Sequence, residues 1–157
     1  MTLTAGQPAP HFSLLSDENK MISLTDYHGK KVVLYFYPKD NTPGCTREAC
    51  DFRDNITQFA DHNTIILGIS KDKPNKHQTF REKYQLPFTL LSDETGETCI
   101  AYGVIDKKNL FGNTFLGITR STFLIDENGI IQHIWHKVKV TDHTNKILTV
   151  LTEKKSI

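Results

Sequence analysis

At 157 residues, the chain can bury roughly 68–70% of the surface its unfolded form exposes, enough for a core without a disulfide or metal staple. Lys and Arg total 19 against 18 Asp and Glu, a formal net charge of +1, which excludes the electrostatic footprint of a nucleic-acid binder or a polybasic membrane patch. Three cysteines are too few, and odd in number, for a disulfide framework, and they fit a reducing cytoplasm.

The N-terminal stretch Met1-Thr2-Leu3-Thr4-Ala5-Gly6-Gln7-Pro8 has neither a basic n-region nor an apolar h-region, so no secretory signal is expected. Apolar runs are strand-length, far short of the ~20 residues that span a bilayer. Phe12–Leu15 and Ile22–Leu24 read as short strands around a polar turn at Asp17-Glu18-Asn19. Val32–Tyr37 is rich in β-formers and continuously apolar, as a strand buried on both faces would be. A helix is expected from about Pro43 to Asp61, then a strand over Thr64–Ser70 and a second helix from Pro74 to Tyr84. Phe88–Leu91 reads as a strand, and Thr95–Tyr102 as a short helix that Gly103 stops. Asp106–Thr119 is expected to be a long polar-aromatic loop. Ser121–Ile125 and Ile130–Trp135 are strands joined through Asp126-Glu127-Asn128-Gly129, with Asn-Gly as the hairpin signal. A helix from about Asp142 closes the chain, with Ile147, Leu148 and Leu151 on one face. The order predicts an α/β sandwich with a mixed sheet, in a single domain over 1–157 with no repeat, low-complexity tract or linker.

The segment Pro38-Lys39-Asp40-Asn41-Thr42-Pro43-Gly44-Cys45 joins a strand to a helix whose first turn holds a cysteine. Helix-start N–H groups lack intrahelical partners, and the macrodipole puts partial positive charge there. Both favour a thiolate, the reactive form of cysteine. Thr42 is the natural N-cap, Pro43 suits the first helical position, and Gly44 allows close approach to the backbone. Cys45, Ala49, Phe52, Ile56 and Phe59 form one helical stripe, so the sulfur should sit in a pocket rather than open solvent. Cys50 lies five residues on. Ideal helix geometry separates the two Cα atoms by ~8.6 Å, beyond the ~7 Å limit for a disulfide, so a Cys45–Cys50 bond requires the first turns to unwind.

Pro38-x-x-x-Thr42-x-x-Cys45 matches the active-site motif of the peroxiredoxins. The longer string from Tyr37 to Asp54 is similar to the peroxiredoxin Q branch, also called the bacterioferritin comigratory protein type. Gly6–Phe12 resembles that family's opening, with His11 where Asp is usual. Arg120–Asp126 resembles its arginine-bearing strand, and Trp135–Val140 its closing segment, with His136 where Arg is more usual. The resemblance implies a thioredoxin-like fold, a central mixed β-sheet flanked by helices. It also implies a peroxidase in which Cys45 attacks a hydroperoxide, helped by Thr42, the Gly44 and Cys45 N–H groups and Arg120. Pro38 would shield the sulfur, Glu48 would orient Arg120, and Cys50 would resolve the sulfenic acid as a disulfide. The implied partners are a hydroperoxide substrate and a thioredoxin-like reductant. Neither nucleic acid nor membrane is expected, no cofactor or metal is implied, and the family leans to a monomer.

Two other readings stand beside this one. A thiol–disulfide oxidoreductase would carry Cys-x-x-Cys at the helix start, whereas four residues separate Cys45 from Cys50. A redox sensor or metal-binding module would use Cys45, Cys50 and a histidine, but no histidine pairs with a cysteine at zinc-site spacing. Cys99, away from both motifs, reads as core filler. His133, His136 and His143 read as surface groups, and Trp135 as packing.

Overall fold

The computed structural model describes residues 3–153. A first hairpin pairs β1 (Ser13–Ser16) with β2 (Met21–Ser23), followed by a 3-10 turn over Leu24–Tyr27. Then come β3 (Lys31–Phe36), α1 (Pro43–Asp54), α2 (Ile56–Asp61), β4 (Thr64–Ser70), α3 (Pro74–Tyr84), β5 (Thr89–Ser92) and α4 (Glu97–Ala101). A second hairpin, β6 (Ile105–Leu110) and β7 (Asn113–Ile118), precedes β8 (Ser121–Ile125), β9 (Ile131–Trp135) and α5 (His143–Thr152). Seven strands form one sheet in the order β2-β1-β5-β4-β3-β8-β9. β3 runs parallel to β4 and antiparallel to β8, so the sheet is mixed. Among the described residues, no helix is long and apolar enough to cross a membrane.

The alternation of β3 divides the core into two layers. Val33 and Tyr35, with Tyr37 just beyond the strand, pack with Cys45, Ala49, Phe52 and Phe59 from the first two helices, and with Ile147, Leu148 and Leu151 of α5. Val32, Leu34 and Phe36 pack on the opposite side, with Cys99, Tyr102, Val104 and Phe123. A strand apolar at every position is one that must be covered on both faces, as the sequence predicts.

Three expectations are corrected. The helix expected over Pro43–Asp61 breaks at Asn55, where φ is −115° and ψ is 13°. The Asn55 side-chain amide donates to the Asp51 carbonyl (2.8 Å), the acceptor that a continuing helix would give to the Asn55 N–H. The apolar stripe survives the break, since Cys45, Ala49, Phe52 and Phe59 share one cluster and Ile56 packs against it. The loop expected over Asp106–Thr119 is largely the β6–β7 hairpin. Its turn is Phe111-Gly112, both at positive φ (52° and 79°), as a type I′ turn requires. Lys107, Lys108 and Asn109 lack strand propensity, so cross-strand pairing and the anchoring of Ile105 and Ile118 in the core decide the matter. The strand expected over Ser121–Ile125 is β8 with the same bounds, and Arg120 stands immediately before it.

His143 is the third correction. It is buried, with Nε2 at 2.8 Å from the Thr122 hydroxyl. The rings of Phe52 and Trp135 meet it nearly at right angles. Burial, helped by the charges of Lys146 and Arg120, lowers its pKa from 6.5 to about 4. The unfolded chain therefore binds a proton between those values that the folded chain refuses, so stability falls as pH drops through this window. His143→Gln removes that titration. Chemical denaturation at pH 7 and pH 4 is expected to show wild type losing about 3 kcal/mol more than the variant, and equal losses would contradict a buried neutral imidazole.

Candidate active site

The site begins where β3 ends. Phe36 is the last residue of the strand, and the chain bends through exposed Pro38 and Lys39 into buried Asp40. Asn41 takes positive φ (60°), and Thr42 occupies the N-cap in extended conformation with Pro43 next. The Thr42 side chain does not cap the helix. Its hydroxyl donates instead to the Lys39 carbonyl (2.9 Å), which leaves the oxygen lone pairs as its remaining polar function. The Thr46 N–H bonds the Thr42 carbonyl (2.8 Å). The N–H groups of Gly44 and Cys45 precede that bond and take no part in the helix ladder.

Cys45 is 2% exposed, as the position of its stripe requires. Against its sulfur stands the guanidinium of Arg120, whose Nη2 donates to Sγ at 3.4 Å while Nη1 donates to Glu48 Oε1 at 2.6 Å. Arg120 and Cys45 lie 75 positions apart in sequence. The approach explains the glycine. A Cβ on residue 44 would lie 3.2 Å from Arg120 Nη2, so the close approach allowed by Gly44 is used by a side chain of this chain. Arg120 is fixed from behind as well, because its carbonyl accepts the Val138 N–H (2.9 Å). Next to it, Ser121 Oγ lies 3.2 Å from Nδ1 of the exposed His136.

Electrostatics follow from burial. Glu48 is almost wholly enclosed, and burial raises its pKa to about 7 despite the opposing charge and hydrogen bond of Arg120. Its second oxygen, Oε2, has no hydrogen-bond partner. Burial pulls the Arg120 pKa down, but Glu48 and the Cys45 sulfur more than offset this and leave it raised. The Tyr35 hydroxyl, buried and unpartnered, is pushed well above its ordinary value, first by burial and then by the charge of Glu48.

Of the residues singled out from sequence, Cys45, Glu48, Arg120 and Gly44 converge. Thr42 is the N-cap of the same helix, and Pro38 is exposed in the bend before it. Cys50 is half-buried on α1, and all three cysteines are free thiols. Burial raises the Cys50 thiol, with Arg53 opposing and Asp54 and Asp51 adding. Cys99 belongs to the opposite core layer, where burial and then Asp93 push its thiol up. Sequence reasoning missed the partners of Asp40. Asp40 Oδ1 accepts from the Tyr37 hydroxyl (2.5 Å), and Oδ2 lies 2.6 Å from His77 Nδ1. Asp40 stood inside the motif; His77, on a polar-looking helix, carried no signal.

The chain as a whole is similar to known proteins. The family model described as AhpC/TSA matches residues 5–134. A Coxiella burnetii protein bearing a bcp peroxiredoxin name is 54% identical over 148 residues, covering 94% of this chain and 98% of that one. The peroxiredoxin Bcp of Bacillus subtilis is 48% identical over 153 residues, covering 98% of each. The solved Xanthomonas campestris bacterioferritin comigratory protein, described for its alkyl peroxide reduction activity, superposes with a TM-score of 0.88. It is 37% identical and covers 94% of this chain and 97% of its own.

Glu48 offers a direct check of the site's electrostatics. Its carboxyl is raised from 4.5 to about 7 on folding, so between those values the folded state holds a proton that the unfolded state has lost. Stability then falls as pH rises through that window and stays lower above it. Glu48→Gln keeps an oxygen for Arg120 but cannot ionise. Relative to that variant, wild type should lose stability from pH 4.5 to pH 7 in denaturant titrations; parallel curves would mean that Glu48 is ionised throughout.

Proposed function

The chain belongs to the AhpC/TSA family, among the peroxiredoxins of the Bcp or Q type, and from that premise we propose how its own residues carry out thiol-dependent peroxide reduction. The Cys45 thiolate attacks the terminal oxygen of a hydroperoxide. A sulfur–oxygen bond forms, the O–O bond breaks, and the electron pair leaves on the distal oxygen, which takes a proton to become an alcohol or water. Cys45 is left as a sulfenic acid.

One observation supports this assignment above the rest: a guanidinium held by a buried carboxyl lies 3.4 Å from a cysteine sulfur at a helix start. Its donors are fixed in a plane and cannot lose their charge, so they suit both the sulfur anion and the negative charge that develops on the leaving oxygen. The free N–H groups of Gly44 and Cys45 are aimed from the same helix end. The Thr42 oxygen, its hydrogen committed to Lys39, acts as an acceptor for the peroxide O–H. Pro38 shapes the bend before it.

Cys50 resolves the intermediate. Its sulfur attacks the Cys45 sulfenic sulfur, a disulfide forms, and the oxygen leaves as water. The raised, half-buried thiol of Cys50 is a poor nucleophile while the helix is intact. The first turns must open, which also frees it. A thioredoxin-like dithiol then takes the disulfide through a mixed-disulfide exchange. Hydrogen peroxide and organic hydroperoxides are the substrates, the latter supported by the alkyl peroxide activity of the Xanthomonas campestris protein. The chain works as a cytoplasmic monomer, and it needs no cofactor because the electrons pass from the dithiol through the cysteine sulfurs to the peroxide.

Peptide mapping after one equivalent of hydrogen peroxide should find a Cys45–Cys50 linkage in wild type and a sulfenic or over-oxidised Cys45 in Cys50→Ser. A linkage through Cys99 would reassign the resolving role. Far-UV circular dichroism should lose helical signal on oxidation. In steady-state assays with a dithiol reductant, Cys45→Ser abolishes turnover and Cys99→Ser leaves it nearly intact. Arg120→Ala is expected to lower kcat/KM by about 100-fold, and Gly44→Ala, which crowds Nη2, by about fivefold. Arg120→Ala with wild-type kcat/KM would refute the assignment of the guanidinium.

A further inference from the structure

Asp40, in the bend five residues before the reactive sulfur, is anchored from three elements at once. Its main-chain N–H donates to Asp72 Oδ2 (2.8 Å), an oxygen also held by the Ser70 hydroxyl (2.7 Å) at the end of β4. Its carboxylate receives the Tyr37 hydroxyl from the end of β3, and meets His77 of α3 at 2.6 Å. His77 is 0% exposed and Asp40 7%, so these bonds form away from solvent and are lost only at full cost.

The hydrogen-bond geometry fixes the proton count. His77 Nε2 lies 2.9 Å from the Leu91 carbonyl, which only accepts, so Nε2 carries a hydrogen. The Nδ1 to Asp40 contact then needs a proton of its own. Whether that proton sits on the ring or on the carboxyl, the pair is electrically neutral, which is what burial demands. Ligand atoms of Asp40, Asp72 and His77 come within 4.8 Å of one another, but both ring nitrogens are spent on the carbonyl and on Asp40. A shared proton joins them, rather than a metal.

We infer that His77 is a positioning residue: through Asp40 it holds the sulfur-bearing turn closed, and so sets how a Cys45 sulfenic acid divides between disulfide closure and over-oxidation. The inference rests on the Cys45–Cys50 chemistry proposed above. Closure joins the two sulfurs and releases water, and it requires the turn to open. Over-oxidation takes a second hydroperoxide, which transfers an oxygen to the sulfenic sulfur to give a sulfinic acid and leaves as the alcohol or water. That step proceeds in the closed turn. A clamp on Asp40 therefore favours the first attack and the over-oxidation, and slows the closure.

The experiment exposes reduced protein to graded peroxide, then measures the disulfide and sulfinic forms by mass spectrometry, with stopped-flow fluorescence for the rates. In His77→Ala, peroxide attack on Cys45 is expected to slow by about tenfold while closure quickens, so the sulfinic fraction at a given peroxide dose falls severalfold. Ile125→Ala, a cavity in the opposite core layer, lowers stability without touching the clamp and should leave the division unchanged. Should His77→Ala not fold, His77→Gln keeps bulk and polar atoms without an ionisable ring, and is read in the same way. An unchanged sulfinic fraction, or an equal change in Ile125→Ala, overturns the role of His77. Absence of a Cys45–Cys50 disulfide in wild type would instead sink the resolving mechanism, so the two failures are distinguishable.

Discussion

The arrangement depends on one guanidinium shared between two buried groups. Arg120 reaches Glu48 and Cys45 with different nitrogens, and each contact needs the other. Without Glu48, the planar head would have no fixed orientation at the sulfur. Without Arg120, a carboxyl 1% exposed would be left with neither oxygen partnered. Such a pair brings little net stability, because desolvation consumes most of the Coulombic gain. Its value lies in direction: five donors in a rigid plane, aimed from a charge that does not titrate.

The surroundings are built to make that contact possible. Gly44 removes the one atom that would crowd Nη2. The helix start supplies unpaired N–H groups beside the sulfur. Thr42 turns its hydroxyl hydrogen back to Lys39, so it contributes to the bend rather than to the cap. The sulfur is enclosed because Cys45 heads the stripe that packs on the sheet. That same burial conflicts with any chemistry that must bring Cys50 to it, since an intact helix keeps the two apart.

The helix is held accordingly. It ends at Asn55, where a side-chain amide takes over a backbone acceptor, so Pro43–Asp54 is a short unit separated from α2. At its start, the bend is anchored through Asp40 to β4, α3 and the end of β3. At its far end, Arg53 Nη1 donates to the Tyr84 carbonyl (2.8 Å), tying α1 to α3. The third helix is thus a strut against both ends of the reactive one. Local opening then becomes a matter of a few buried polar bonds rather than of the whole core.

Much of this is written in local sequence. The strand–bend–helix passage, the helix start at Pro43, the stripe through Cys45 and Phe59 and the doubly buried β3 all follow from periodicity, capping and β-propensity, which act over a few residues. So does the restriction on a Cys45–Cys50 bond, which is helix geometry alone. The resemblance extended this to the sheet and to Arg120 and Glu48. What tertiary structure alone decided are contacts between residues far apart in the chain. His77 reads as one polar residue on a polar helix until folding sets it 2.6 Å from Asp40. His143 looks exposed until Phe52 and Trp135 close around it. The β6–β7 hairpin lacks strand propensity and gains its register from cross-strand pairing. Local patterns choose the elements because they depend on neighbours in sequence; burial and charge pairing choose the partners because they depend on neighbours in space.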